Sequence, residues 1–189
     1  QWVADSAFKK TSSSKFPDWV SWVNTFSVNS CYFSTFFGIY RSAVVLAWKS
    51  KAKNWNGSCF GIAGANALAF RYKAQFQAKY PSFPAFIFPI NVVSDTSVKR
   101  VVNELFTHQF GKRTQLKRQG YNPNPTQTVN DIKKMLIEDN VSIKTLSFWN
   151  NGPDGGGHTI LVYRLDQDTV LKNIYYIRVY DNAYPLSTN

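Results

Sequence analysis

The amino-acid sequence predicts an α+β fold, with helices in the N-terminal part and an antiparallel sheet in the C-terminal part. Apolar residues recur at helical spacing as far as Ile137, and from Ser142 onward apolar and polar residues alternate as they do in strands. At 189 residues the chain has the length of one domain that can bury a sizeable core. Because the two periodicities occupy separate parts of the chain, the pattern favours α+β over an alternating α/β fold.

The first helix is predicted to follow a polar N-terminal segment. Residues 1–15 are polar and serine-rich, which predicts an arm or linker, and residues 16–189 are predicted to form the domain. Phe16-Pro17-Asp18 predicts a helix start, because proline at an early position and an acidic residue in the first turn are both favourable there. Large apolar residues follow at helical spacing, namely Trp19, Val20, Trp22, Val23 and Phe26. A second helix is predicted from Thr35 to Lys51.

The stretch from Asn54 to Phe70 predicts a loop that ends on Cys59, at the head of a buried central helix. Asn56, Gly57 and Ser58 readily form turns and caps. The residues after Cys59 are small or apolar, so we expect protein to enclose this helix on nearly all sides. Backbone N–H groups at its start would favour a negative charge on the sulfur and could hold an oxyanion.

Two residues also have a purely structural interpretation. A free cysteine such as Cys59 is often buried as a small hydrophobe, although its position after a Gly-Ser turn favours reactivity. His108 follows a helix that Asp95-Thr96-Ser97 is predicted to cap. Because no carboxylate or cysteine directly neighbours His108 in the sequence, we assign it a structural or surface role. The apolar stripe of that helix consists of Val98, Val101, Val102, Leu105 and Phe106.

The remaining elements are predicted from turn-forming residues and from the spacing of apolar residues. The segment from Gly111 to Pro125 is basic and then rich in asparagine and proline, which predicts a loop at the rim of a groove. Thr128 with Asp131 predicts the start of another helix. Three strands are predicted, from Ser142 to Trp149, from His158 to Leu165 and from Val170 to Asp181. A turn at Asp166-Gln167-Asp168 makes the last two strands an antiparallel hairpin.

Charge and composition exclude some classes of function. The chain carries 22 lysines and arginines against 11 acidic residues, a net charge of +11, which is compatible with an acidic polymer or surface as partner. The basic residues are mostly scattered and the aromatic ones fall in apolar stretches, so the pattern does not favour nucleic acid. No apolar run is long enough to span a membrane. Two cysteines and two histidines without ligand spacing give no reason to expect a metal or another cofactor.

Three distant residues suggest nucleophilic catalysis, which requires a base near the nucleophile and a group that orients the base. His158 begins a strand after three glycines, which allow close approach of a substrate. Asp181 ends the partner strand, on the face of Tyr175, and the hairpin would bring its carboxylate beside the imidazole. Asn182 lies one position further and competes with Asp181 for the orienting role.

Three blocks of the sequence carry a resemblance, namely Gly57-Ser58-Cys59-Phe60, Gly157-His158 and Tyr180-Asp181-Asn182-Ala183-Tyr184-Pro185. In this order they resemble the papain-like cysteine peptidases. The sequence looks most similar to the bacterial and archaeal branch near the peptidase domains that trim leader peptides in export systems. The resemblance covers under a third of the chain. It implies a papain-like fold, Cys59 as nucleophile, His158 as general base and acid, and Asp181 as the residue that orients the ring.

The resemblance has two departures. Where the family usually has an oxyanion-binding glutamine, six residues before the cysteine, this sequence has Lys53, and we expect Asn54 rather than Asn56 to supply the amide instead. The chain ends four residues after Pro185, where the family would continue with strands, so we expect a domain that is truncated at its C-terminus. A first residue other than methionine is consistent with a processed protein, and we expect a secreted or cell-surface location.

Three functions fit these residues. The first is thiol-dependent acyl transfer to water, which is peptide-bond hydrolysis of a peptide or protein substrate. The second is a catalytically lapsed papain-like domain that acts as a structural or binding module in a secreted or cell-surface assembly, which Lys53 favours. The third is transglutaminase-like ligation, which would use the same three residues and a different acceptor.

Overall fold

The protein has an α+β fold in which helices precede a small antiparallel sheet. The computed structural model describes residues 17–53, 57–81, 83, 96–119, 121, 123–138, 143–149 and 157–181. Its helices are α1 Trp19–Phe26, α2 Val28–Cys31, α3 Ser42–Lys53, α4 Cys59–Arg71, α5 Lys73–Lys79, α6 Thr96–Thr107, α7 Lys112–Gln119 and α8 Pro125–Ile137. Its strands are β1 Tyr32–Ser34, β2 Ile39–Tyr40, β3 Thr145–Trp149, β4 Gly157–Gln167 and β5 Tyr175–Tyr180. The predicted arm, residues 1–15, lies outside the described residues.

The first helix begins slightly later than predicted, because Asp18 is its N-cap. The Asp18 carboxylate accepts a hydrogen bond from the backbone N–H of Ser21 at 2.8 Å, which satisfies one of the free donors at the helix start. The predicted tryptophans are core residues: Trp19 and Trp22 are buried. The indole N–H of Trp19 donates to the Tyr32 hydroxyl at 2.8 Å, so this aromatic cluster contains a satisfied polar contact.

The predicted helix from Thr35 to Lys51 is wrong in its first part. Residues 35–41 form the tip and end of a β1–β2 hairpin, and the helix α3 begins only at Ser42. Gly38 takes a positive φ of 64°, which suits a turn and interrupts a helix. As a result Phe36 and Phe37 are exposed at the hairpin tip and do not join the core.

The central helix α4 begins at Cys59, as predicted, and packs against α6 and the strand β4. Gly61 lies so close to α6 that an added Cβ would come within 2.2 Å of the Val102 carbonyl oxygen. The buried positions of α4 end at Ala67, and Phe70 is 79% exposed. The buried positions therefore lie between Gly61 and Ala67, and the expectation that protein surrounds the helix as far as Phe70 is wrong.

The apolar stripe predicted for α6 is confirmed, since its five residues are all buried. The expected cap at residue 95 lies outside the described residues. The loop predicted from Gly111 to Pro125 is wrong over most of its length, because residues 112–119 form the helix α7. That segment contains neither glycine nor proline, and its lysines, arginines and glutamines are good helix formers. The helix α8 begins at Pro125, with Asn124 as its N-cap, rather than at Thr128.

The strands β3, β4 and β5 form an antiparallel sheet in that order. The strand β4 continues through Gln167, so the predicted turn at Asp166-Gln167-Asp168 is wrong, and residues 168–174 connect β4 to β5. The pairing passes from Val162 opposite Val179 to Arg164 opposite Arg178, which leaves Tyr163 as the extra residue of a β-bulge. A bulge changes which residues share a face. Both Val162 and Leu165 therefore pack in the cluster beneath α8.

Among the described residues, no helix is both long and apolar enough to cross a membrane.

Candidate functional site

The start of α4 lies against the start of β4. The Cys59 thiol donates a hydrogen bond to the backbone carbonyl of Gly157, with the sulfur 3.8 Å from the oxygen. Gly157 directly precedes His158, so the thiol is in contact with the residue next to the imidazole although about a hundred residues separate them in sequence. Cys59 is half-buried, whereas Cys31 is buried.

Of the residues predicted to form the turn and the cap before Cys59, Gly57 has turn geometry, whereas the Ser58 side chain does not cap the helix among the described residues. Gly57 has a φ of 125°, which side chains other than hydrogen rarely permit, so glycine is required at this position. Within the part of the chain that the structure describes, the Ser58 side chain makes no capping hydrogen bond. The Ser58 hydroxyl therefore does not occupy the N–H groups of the first turn, which are the groups that hold an anion at a helix start.

His158 and Asp181 are brought together by the sheet register. His158 and Val162 lie on one face of β4 because they are four residues apart, and Val162 pairs with Val179. Asp181 lies two residues after Val179 and therefore returns to that same face. Because the two side chains share this face, His158 Nε2 and Asp181 Oδ1 form a hydrogen bond of 2.7 Å.

The His158–Asp181 pair is partly buried but still accessible to solvent. The side chains of His158 and Asp181 are 26% and 28% exposed, so water or a substrate can reach them. The ring of Phe148, which is opposite His158 on β3, packs edge-on against the imidazole with centroids 5.6 Å apart. The imidazole is thus held between a carboxylate and an aromatic ring, and its Nδ1 is the ring nitrogen that Asp181 does not engage.

Three residues named in the sequence prediction lie outside the described residues: Asn54, expected to donate to an oxyanion, Asn56 and Asn182. Lys53 is exposed at the end of α3. Sequence reasoning missed Phe148, although its place one residue before the end of a strand of alternating pattern was a usable signal. In the described part of the chain, no three residues of the histidine, cysteine, aspartate and glutamate types cluster as metal ligands would.

The two cysteines differ sharply in their surroundings, and this gives a first prediction. Cys31 is fully buried, and burial raises the pKa of its thiol to about 11 because the apolar surroundings disfavour the thiolate. Near neutral pH Cys31 is therefore protonated. We expect iodoacetamide to alkylate Cys59 in the folded protein and to reach Cys31 only after unfolding, as peptide mapping by mass spectrometry would show. Equal modification of both cysteines in the folded protein would contradict the structure.

Comparison with protein-family models, with curated proteins and with solved structures finds no match to this chain.

Proposed function

We propose that this protein is a thiol-dependent acyl transferase with a papain-like fold, whose reaction is the hydrolysis of peptide bonds. The proposal is supported by the position of the Cys59 thiol against the residue that precedes His158, together with the hydrogen bond between His158 and Asp181. The Cys59 thiol contacts the Gly157 carbonyl, and the adjacent His158 is hydrogen-bonded to Asp181. Nucleophile, base and orienting group in this order are the components of cysteine-protease catalysis.

In the proposed reaction His158 Nδ1 accepts the Cys59 proton, and the sulfur attacks the carbonyl carbon of the peptide bond. The negative charge that develops on the carbonyl oxygen is stabilised by the backbone N–H groups at the start of α4 and by an amide from Asn54. The C–N bond then breaks, and His158 transfers its proton to the departing amine. Water then attacks the thioester carbonyl carbon while His158 accepts a proton from the water. The C–S bond breaks, the carboxylic acid leaves, and His158 returns the proton to the Cys59 sulfur.

Asp181 acts through the imidazole and does not touch the substrate. Its hydrogen bond to Nε2 fixes the ring orientation, and its charge stabilises the imidazolium that forms during attack. Phe148 restricts the same ring from a different side. A base held in this way has little conformational freedom to lose when the thiol transfers its proton.

The proposal predicts that an epoxysuccinyl peptide, which reacts with catalytic thiols, labels the folded protein at Cys59. Cys59→Ala should abolish labelling, whereas the matched variant Cys31→Ala should be labelled like the wild type. We expect the folded protein to react at least about tenfold faster than the same protein in denaturant, because the site activates its thiol. Labelling would be followed by intact mass. A folded protein that reacts no faster than the denatured one would refute the proposal.

A second candidate is a catalytically lapsed domain that binds a partner through aromatic residues on the sheet. Phe148, Trp149, Tyr163 and Tyr176 are each at least half exposed, which favours this alternative. In that case the labelling rate would be that of an ordinary exposed thiol. The comparison of epoxysuccinyl labelling rates in folded and denatured protein therefore separates the two candidates.

A further inference from the structure

Arg118, on the predicted groove rim that proves to be α7, lies beside the site. Its guanidinium carbon is 5.3 Å from the centre of the Phe60 ring and 5.4 Å from the centre of the Trp149 ring. Phe60 directly follows Cys59, and Trp149 is paired with Gly157, whose carbonyl accepts the thiol hydrogen bond. Arg118 therefore contacts two aromatic rings near the sulfur. One belongs to the residue after Cys59, and the other belongs to the strand partner of Gly157.

The Trp149 indole is placed by close contact with Gly157. A Cβ on Gly157 would meet the indole Nε1 at 2.6 Å, so only glycine lets the ring lie this close to the backbone. One of the two aromatic rings beside Arg118 therefore packs directly on the glycine whose carbonyl accepts the thiol hydrogen bond.

The surroundings of Arg118 suit an anion. Among the residues that the structure describes, no aspartate or glutamate forms an ion pair with it. Aromatic rings engage a guanidinium through its plane, which leaves the N–H edge to donate two parallel hydrogen bonds to a carboxylate. Burial lowers the pKa of Arg118, and since arginine still remains charged, the partial loss of water strengthens its attraction to an anion.

The rest of α7 adds to this charge. The helix also contains Lys112, Arg113 and Lys117 and has no acidic residue. These three side chains are exposed, so they contribute a long-range field rather than a specific contact. The field would raise the local concentration of acidic peptides near the site.

We infer that Arg118 is a specificity residue that selects substrates with a carboxylate side chain next to the scissile bond. This inference rests on the proposed function. In the bound state the Arg118 guanidinium donates two hydrogen bonds to the glutamate or aspartate carboxylate of the peptide, while Cys59 attacks the neighbouring carbonyl.

The test uses matched fluorogenic peptides that carry glutamate, glutamine or lysine at each position flanking the cleaved bond. We expect the wild type to prefer glutamate over glutamine by about tenfold or more in kcat/KM at one flanking position. Arg118→Gln should abolish the preference, and Arg118→Glu should reverse it in favour of lysine. Arg113→Gln removes the same charge from the same helix, and it should keep the preference.

The outcomes separate this inference from the function on which it rests. If peptides are cleaved in a Cys59-dependent manner with equal rates for glutamate, glutamine and lysine, the inference is overturned and the proposed function stands. An equal loss of rate on all three peptides in Arg118→Gln would also overturn it, since that result indicates a structural role. If no peptide is cleaved and the epoxysuccinyl probe does not label Cys59, the proposed function fails and the inference fails with it.

Discussion

Replacing Gly61 with alanine is expected to destabilise the protein by about 3 kcal/mol, because the new methyl group would overlap the backbone of α6. The Cβ would lie 2.2 Å from the Val102 carbonyl oxygen and 2.9 Å from the Phe106 Cβ. These atoms belong to a helix, so they cannot rotate away as the end of a flexible side chain could. The two helices would have to separate, and the free energy of unfolding measured in urea should fall accordingly.

The matched control is Gly64→Ala, one turn further along α4. A Cβ there meets only the Leu105 Cβ, at an ordinary contact distance of 3.9 Å. We expect no loss of stability, and a gain of up to about 1 kcal/mol, because alanine loses less backbone entropy than glycine in a helix. Equal effects of the two substitutions would mean that α4 and α6 are not packed as described. Gly61 is also two residues from Cys59, so Gly61→Ala should impair labelling of the thiol.

Replacing Asp181 with alanine is expected to lower kcat/KM by roughly two to four orders of magnitude. Without the carboxylate at 2.7 Å, the His158 ring loses the hydrogen bond that fixes its orientation and the charge that stabilises the imidazolium. Asp181→Asn keeps the shape and one hydrogen-bonding oxygen, so its loss should be smaller. Hydrolysis of a fluorogenic peptide under conditions far below saturation would measure kcat/KM directly.

The control for this experiment is Asp166→Asn, at the opposite end of the same hairpin. Asp166 accepts hydrogen bonds from Arg164 at 2.6 Å and from Arg178 at 3.0 Å, and it pairs with Tyr176. Its substitution alters an exposed charge cluster but leaves the site untouched, so kcat/KM should stay within about twofold. If Asp181→Ala behaves like Asp166→Asn, Asp181 has no part in the reaction, and the role of orienting residue passes to another group.

The sequence was sufficient to predict the α+β architecture and the site pair on β4 and β5. Cys59 was predicted at a helix start because turn formers precede it and small apolar residues follow it, and α4 begins there. The His158–Asp181 contact was predicted because an antiparallel hairpin brings the start of one strand near the end of the next, and strand alternation is a strong signal. Both inferences depend on local patterns, which a single sequence contains.

Features that depend on tertiary packing were predicted less well. The segment around Gly38 has enough apolar residues for a helix, but its positive φ and the pairing of Tyr32 with Tyr40 produce a hairpin. The α7 segment was assigned to a loop because it is basic and a run rich in asparagine and proline follows it, although its own residues favour a helix. Arg118 was missed because only packing shows that Phe60 and Trp149 lie beside it.

The extra residue at Tyr163 divides the hairpin into two segments that are out of phase. Before Tyr163, even-numbered residues of β4 share a face with His158, whereas beyond it Leu165 occupies that face opposite Ile177. In a straight ladder, the alternation that places His158 beside Asp181 would turn Leu165 away from the cluster that contains Val162. The irregularity therefore lets one hairpin partly bury Leu165 toward its closed end and hold the imidazole beside the carboxylate at its open end.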